Sequence, residues 1–257
     1  MNQRIWGPHG WRTFHTLYAL PVDRNPKLGH QLQRRVFHDT ALVLPCSVCR
    51  NCYKDNKQTV AMTHVDCTPS ENVACEGARV AAYLIHNMVN KTNGKREFSR
   101  KDLDLVEFMG LTFFDTLVIP SMHLLFAAIA HACDQVRDIE AKHCVAFFLA
   151  VGELLELAAS SSPLGGHTII IRELASHVLH EARKPLGAFV TMSDRVVCMF
   201  IEILVPVIPR FGESGTYFRG SFVCTSDCTR VHVDARRQFV ADTRALMNRI
   251  TKKQGDM

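Results

Sequence analysis

Apolar residues recur at every third or fourth position along most of this chain, which is the spacing of helices with one buried face. In the first half the pattern predicts a helix that ends at Pro21, a second that ends at Pro45, a restart at Cys46 and another helix over about 78–90. Proline is tolerated at the start of a helix, so Pro45 does not exclude the restart. Strand-like alternation is scarce. Residues 1–108 therefore predict a bundle of four or five helices.

The second half has the same helical spacing, with predicted helices at 111–135, 139–159, 167–183 and 192–205. A Gly- and Ser-rich segment at 210–230 predicts irregular structure, and a last helix is expected near 232–252. The stretch "ARVAAYLIHNMVNKTNGK" (78–95) is loosely similar to "IRELASHVLHEARKPLG" (171–187). We therefore expect an all-α protein with a bundle at 1–108 and a mostly helical domain at 109–257. The second domain is either a degenerate copy of the first or similar to it by chance.

Composition and charge narrow the function classes without choosing one. Apolar residues make up 47% of the 257 residues and charged residues 21%, which supports a buried core and excludes wholesale disorder. The net charge of +5 is dispersed, and we expect no nucleic-acid partner. The most apolar stretches, Leu111–Ala132 and Val196–Pro209, are interrupted by charges or too short to span a bilayer. With no signal peptide at its start, the chain is expected to be cytoplasmic, without a membrane partner.

The chain has ten cysteines, and Cys46 and Cys49 form a CxxC. Two interpretations stay open. A zinc site needs a second ligand pair, and the nearby candidates form no second CxxC: Cys52, His64, Cys67 and Cys75. A redox pair at a helix start needs no second pair of ligands. Free backbone N–H groups and the helix dipole there favour the thiolate of the first cysteine. Thioredoxin-like proteins are disfavoured, because they need a strand before the CxxC and helices flank it here.

Three separated motifs occur in a fixed order: "WGPHGWRTFHTL", "LPCSVC" and "YLIHNMVNKTNGK". In this order and at these separations they resemble the Erv/ALR family of FAD-linked sulfhydryl oxidases, and most of all the versions carried by large DNA viruses. The resemblance covers about residues 5–98. It implies a helical bundle that holds FAD at one end, with the CxxC disulfide beside the flavin ring.

The resemblance also implies roles for individual residues. Cys46 would accept the incoming substrate thiolate, and Cys49 would lie next to the flavin. Trp11 and His15 would pack on the ring, because indole and imidazole supply flat faces and N–H donors. The remaining implied contacts are backbone approach at Gly7 and Gly10, the adenine and ribose pocket at His86, Asn87, Val89 and Asn90, and diphosphate neutralisation by Lys91 and Lys95.

The implied activity is disulfide formation in protein substrates. Electrons would pass from substrate dithiols through the CxxC to FAD and then to O₂, which becomes H₂O₂. Expected partners are thiol-containing proteins, including viral proteins in the infected cell or a thioredoxin- or glutaredoxin-like carrier. A homodimer is expected, or an internal pseudo-dimer if the second half is a degenerate copy. Host cytoplasm, and the virion if the chain is viral, are the expected locations.

The other cysteines leave alternatives open. Cys224 and Cys228 suit a mobile shuttle pair or a structural loop disulfide. Cys67 and Cys75 suit a disulfide within one loop or two free thiols. Cys52 is either a buried residue or a resolving thiol. Three more lie on apolar helices and are expected in the core: Cys133, Cys144 and Cys198. Two alternatives to the enzyme are a zinc-stabilised interaction module that uses Cys46 and Cys49 as ligands, and an inactive scaffold that binds FAD.

Overall fold

The computed structural model describes residues 3–65, 77–136, 139–161, 167–186 and 191–211, with the single positions 241 and 245. Across these ranges the regular elements are helices, and they include no β-strand. The all-α expectation is therefore confirmed. Most of the 210–230 segment and nearly all of the last predicted helix lie outside the described residues. So do four of the cysteines discussed above: Cys67, Cys75, Cys224 and Cys228.

The helices follow the predicted order closely. The first five are α1 (Gln3–Ala19), α2 (Pro26–Val43), α3 (Ser47–His64), α4 (Gly77–Thr92) and α5 (Arg100–Thr112). The others are α6 (Ile119–His131), α7 (Ala141–Ser160), α8 (Thr168–Arg183) and α9 (Met192–Phe211). Two π-helical segments, Phe114–Val118 and Ala132–Val136, flank α6 and were not predicted.

Side chains at the helix ends explain several of these boundaries. Asn25 caps α2 by accepting a hydrogen bond from the Leu28 N–H at 3.1 Å, and Pro26 begins the helix where its missing N–H costs nothing. Ser99 and Asp102 form a reciprocal capping box at the start of α5. These caps satisfy N–H groups that a helix end leaves without partners.

The two predicted domains share one hydrophobic core. Helix α1 packs against α4, α5 and α6, while α2 packs against α3, α4 and α7. Helices α6 and α8 each pack against α9, and α7 packs against α8. The core cluster runs from Trp6 in α1 to Ile203 in α9. The predicted boundary between residues 108 and 109 falls inside α5, so the chain continues through it as one helix.

Two apolar segments, Phe114–Asp134 and Ala141–Ser160, are long and apolar enough to cross a membrane by length and composition. Inside the structure, 78% of the first apolar window and 56% of the second are buried. Core helices of globular proteins pass the same test. The first segment overlaps the apolar stretch noted in the sequence, and the second was not singled out there.

The cysteines of the second half differ in exposure. Cys144 is fully buried, which confirms its expected place in the core, and Cys133 is half-buried. Cys198 is exposed, so its predicted core position is wrong. The apolar spacing of α9 is strong, but Cys198 lies beside the buried face that Met199 and Phe200 occupy.

Candidate active site

Four aromatic and imidazole rings stack where α1 meets α4. Trp11 lies face to face with His86, with centroids 4.2 Å apart and planes 8° from parallel. His15 Nε2 is hydrogen-bonded to His86 Nδ1 at 3.0 Å. Phe98, just before α5, stacks on His15 at 5.4 Å and tilts against His86 at 4.7 Å. We call Trp11, His15, His86 and Phe98 the ring cluster.

The ring cluster is held in place by the geometry of α1 and by two hydrogen bonds from the Asn87 side chain. Trp11 and His15 are four residues apart, so they lie on the same face of α1. Asn87 holds Phe98 by its backbone: the amide oxygen accepts the Phe98 N–H at 2.7 Å, and the amide nitrogen donates to the Phe98 carbonyl at 2.9 Å. Asn87 was predicted as a nucleotide contact, and the structure shows it supporting this ring. Sequence reasoning missed Phe98.

Both histidines of the cluster are neutral near pH 7. Burial, and then repulsion from protonated His86 in acid and from the Arg79 guanidinium, lower the pKa of His15 to about 3. Burial, and then the charge of Lys95, lower the pKa of His86 to about 4. A neutral imidazole carries one N–H and one acceptor nitrogen, so the His15–His86 bond uses one of each. The Nδ1 atom of His15 is buried and has no hydrogen-bond partner in the part of the chain that the structure describes.

The CxxC lies at the start of α3, as predicted. Cys46 directly precedes the helix, and its Sγ accepts the Cys49 N–H at 3.4 Å. The sulfur thus takes the position of a capping side chain, where the helix dipole and the open N–H groups stabilise negative charge. Ser47 and Val48 between the two cysteines are exposed, Val48 by 70%, so a large partner can reach the turn.

Neighbouring thiols and burial make the Cys49 thiol a weak acid. Cys46 and Cys49 are both in the reduced form in this structure. The hydrogen bond between them, and then burial, raise the pKa of Cys49. The nearby Cys52 raises it further, and its half-buried Sγ accepts a hydrogen bond from the Asn56 amide at 3.3 Å. In the reduced pair Cys49 therefore keeps its proton near neutral pH.

Arg50 supports the turn that carries the CxxC, and the sequence analysis missed it. Its guanidinium is buried and donates to the Leu44 carbonyl at 2.7 Å, just before Pro45. The Leu44 carbonyl lies beyond the end of α2, and the proline that follows it has no N–H with which to extend the helix. Arg50 is therefore a positioning residue for the approach to Cys46.

The other predicted cofactor residues have diverse surroundings. A Cβ added at Gly7 would meet open space, while one at Gly10 would lie 3.5 Å from both Trp6 and Leu125, an ordinary contact. Gly10 therefore packs α1 against α6. The remaining predictions fall on the last turns of α4 and the turn after it: Val89 and Asn90 are half-buried, and Lys91 and Lys95 are exposed.

The sulfur pair and the ring cluster belong to packed helices. Helix α3 carries Cys49 and packs against α4, which carries His86. Cys46, Cys49 and Trp11 also pack against the same core cluster. Within the described residues, no group of three or more His, Cys, Asp or Glu side chains is placed to hold a metal ion. The zinc alternative therefore has no third ligand there for Cys46 and Cys49.

No protein-family model, no curated protein and no solved structure matches this chain.

The ring cluster combines residue types whose chemistry suits a flat aromatic heterocycle. They offer aromatic faces, two neutral imidazoles and the unpartnered, buried Nδ1 of His15. Lys95 lies close enough to lower the pKa of His86, so a cation stands at the same place for an anionic group. The direct contact between Trp11 and His86 leaves no room for a third ring between those two.

Proposed function

We propose that this chain is an FAD-dependent thiol oxidase that forms disulfide bonds in protein substrates, with Cys46 and Cys49 as its redox pair. The observation that carries the proposal is the Cys46 sulfur at the N-terminus of α3, bonded to the Cys49 N–H, on a helix packed against the one that carries His86. Such placement suits thiol–disulfide exchange, because the helix end stabilises the thiolate that the exchange must form and release.

In the working cycle Cys46 and Cys49 start as a disulfide. A substrate thiolate attacks the Cys46 sulfur, and the bond to Cys49 breaks and leaves its electron pair on Cys49. The second substrate thiol loses its proton and attacks the mixed disulfide, which releases Cys46. The substrate is now a disulfide and the protein pair has gained two electrons and two protons. The helix N-terminus stabilises Cys46 as the leaving thiolate.

The residues of the ring cluster would hold the cofactor. Bound FAD would supply the two-electron acceptor for the reduced pair and the redox chemistry that reduces O₂ to H₂O₂. His15 and His86 are neutral at physiological pH, so they add no charge beside a flavin, and His15 Nδ1 supplies one buried hydrogen-bonding atom. Lys91 and Lys95 are exposed cations that suit the diphosphate.

Protein thiols are the proposed substrates because the CxxC turn is open. Val48 is the most exposed large hydrophobic side chain in the described part of the chain, at 70%, and it lies between the two active cysteines. An exposed apolar residue beside the reacting sulfur provides contact area for a macromolecular partner. Viral proteins, a carrier of the thioredoxin or glutaredoxin class and a homodimeric assembly remain expectations.

Oxygen consumption with dithiothreitol tests this function. Wild-type protein should consume O₂ and release one H₂O₂ per dithiol oxidised. Cys46→Ser and Cys49→Ser should each lose turnover while staying folded, because each removes one sulfur of the pair. Cys198→Ser is the matched control, since this exposed cysteine lies on α9 and should leave turnover unchanged. Wild-type-like turnover in Cys49→Ser would contradict the assignment.

A further inference from the structure

Helix α5 is apolar on two opposite sides, and only one of them is buried. On the inner side Leu103 is fully buried, and Gly110 lies against Thr16 of α1. The outer side and the cap residue that follows α5 carry four large apolar side chains, each between 36% and 63% exposed: Leu105, Phe108, Met109 and Phe113. A helix with apolar residues on both sides normally has a packing partner on both. We call these four residues the α5 surface.

The α5 surface follows one face of the helix. Leu105, Phe108 and Met109 occupy positions i, i+3 and i+4, which are neighbours on a helix face. Phe113 follows Met109 by four more residues, at the C-terminal cap. The other exposed large apolar side chains in the described ranges occur singly along the chain: Leu28, Val48, Ile169 and Leu186. Single exposed apolar side chains are ordinary, whereas a cluster of them is typical of a protein contact surface.

Hydrogen bonds fix α5 and make its outer surface rigid. The capping box of Ser99 and Asp102 holds the first turn. From α4, the Arg79 guanidinium donates to the buried Glu107 carboxylate at 2.7 Å and to Asp104 at 3.1 Å. The Asp104 carboxylate, next to the α5 surface, therefore already has a cation from its own chain. A surface held in this way loses little conformational freedom on binding, so its apolar area is available to stabilise a complex.

The charged residues at the two ends of the α5 surface have opposite signs. Lys101 lies seven residues before Phe108, and Asp115 lies seven residues after it, in the π-helical segment that follows α5. Lys101 is exposed and Asp115 is partly exposed. If two copies of α5 pack antiparallel about a two-fold axis at Phe108, Lys101 of each copy meets Asp115 of the other. The α5 surface is therefore complementary to itself in both shape and charge, as a symmetric dimer interface must be.

We propose that the α5 surface binds a second copy of this chain, with the two α5 helices packed antiparallel about a two-fold axis at Phe108. Helix α5 has 13 residues and is about 20 Å long. An interface built on one such helix is small, so the dimer should dissociate in the micromolar range. The α5 surface contains no residue of the CxxC or of the ring cluster. The proposal therefore does not depend on the proposed oxidase activity.

Sedimentation equilibrium of the full-length protein tests the dimer. The measured mass should rise from 28.9 kDa toward twice that value as the concentration increases from submicromolar to high micromolar. Phe108→Asp should stay monomeric at the same concentrations and keep the wild-type melting temperature, because Phe108 is 63% exposed. Leu28→Asp is the matched control, since it changes an exposed apolar residue on α2 and should dimerise like the wild type.

Two results would overturn the dimer. One is a wild type that stays monomeric at every concentration, which would leave the α5 surface to a different protein or to another segment of this chain. The other is a folded Phe108→Asp variant that dimerises as tightly as the wild type.

Exchange of charges tests the antiparallel pairing. Lys101→Asp and Asp115→Lys should each weaken dimerisation by about threefold to tenfold, because each variant places like charges together at both ends of the interface. An equimolar mixture of the two variants restores an opposite-charge pair at each end, so it should associate more tightly than either variant alone. A mixture that associates no more tightly than the separate variants would overturn the antiparallel pairing.

Discussion

The Trp11 indole and the His86 imidazole lie face to face, with centroids 4.2 Å apart and planes 8° from parallel. This contact joins α1 to α4, and it places the indole beside the His15–His86 hydrogen bond. A ring contact of this kind contributes to stability whether or not a ligand is bound. The tests of the cluster therefore need one readout for the fold and one for the cofactor.

Trp11→Ala should lower the free energy of unfolding by about 2–3 kcal/mol, less than the full cost of a buried tryptophan because Trp11 is only half-buried. It should also abolish flavin retention. Trp11→Phe keeps a flat face and should retain most of both. Urea unfolding and the flavin content of the purified protein measure the two effects. Equal flavin content in the alanine variant and the wild type would remove Trp11 from the proposed cofactor site.

Asn87→Ala should cost about 1–3 kcal/mol of unfolding free energy, because it removes two hydrogen bonds to the Phe98 backbone. Asn87→Asp keeps the acceptor for the Phe98 N–H and loses the donor to its carbonyl, so its loss should be smaller. Thermal and urea unfolding give the comparison. An alanine variant as stable as the wild type would show that these two hydrogen bonds do not hold Phe98.

Acid should destabilise the protein through its buried histidines. The pKa of His15 is about 3 in the folded chain, against about 6.5 when unfolded. Between these values the unfolded chain binds a proton that the folded chain does not, so the free energy of unfolding falls as pH falls from about 6.5 toward about 3. His15→Gln should flatten this dependence. It should not abolish it, because burial also lowers the pKa of His9 and of His123 to about 4.

Urea midpoints at pH 7 and pH 5 measure that effect. The wild type should lose more stability between the two values than His15→Gln does. Identical losses would mean that His15 is not held in its neutral form by the fold.

Gly110 tests the packing of α5 on α1. An added Cβ at Gly110 would collide with the Thr16 hydroxyl. Gly110→Ala should therefore destabilise the protein by about 1–3 kcal/mol. Thr16→Ala removes the colliding atom, so the double variant should be more stable than the sum of the single effects predicts. Strictly additive losses in unfolding free energy would contradict this helix contact.

Local sequence rules predicted the helices because apolar spacing and caps act within a few residues. The four-residue separation of Trp11 and His15 gave one helix face, and Pro45 before the CxxC gave the start of α3. These features need no knowledge of the rest of the fold. The all-α class followed for the same reason.

The missed features depend on tertiary contacts. Phe98 lies outside a helix and joins the ring cluster because the Asn87 side chain is hydrogen-bonded to its backbone. The two π-helical segments that flank α6 have no periodicity of their own in the sequence. The sequence predicted Cys198 in the core because α9 is rich in apolar residues. The buried face of α9 is narrower than that composition indicates, and Cys198 lies outside it.

Anaerobic reduction by dithiothreitol, followed by visible absorption, tests the central claim most directly. The purified wild type should be yellow, should bleach when the dithiol is added without oxygen, and should recover its colour in air while releasing H₂O₂. Cys49→Ser should be equally yellow and should not bleach, because the path from Cys46 to the flavin is cut. A colourless folded wild type, or bleaching of Cys49→Ser at the wild-type rate, would contradict the account.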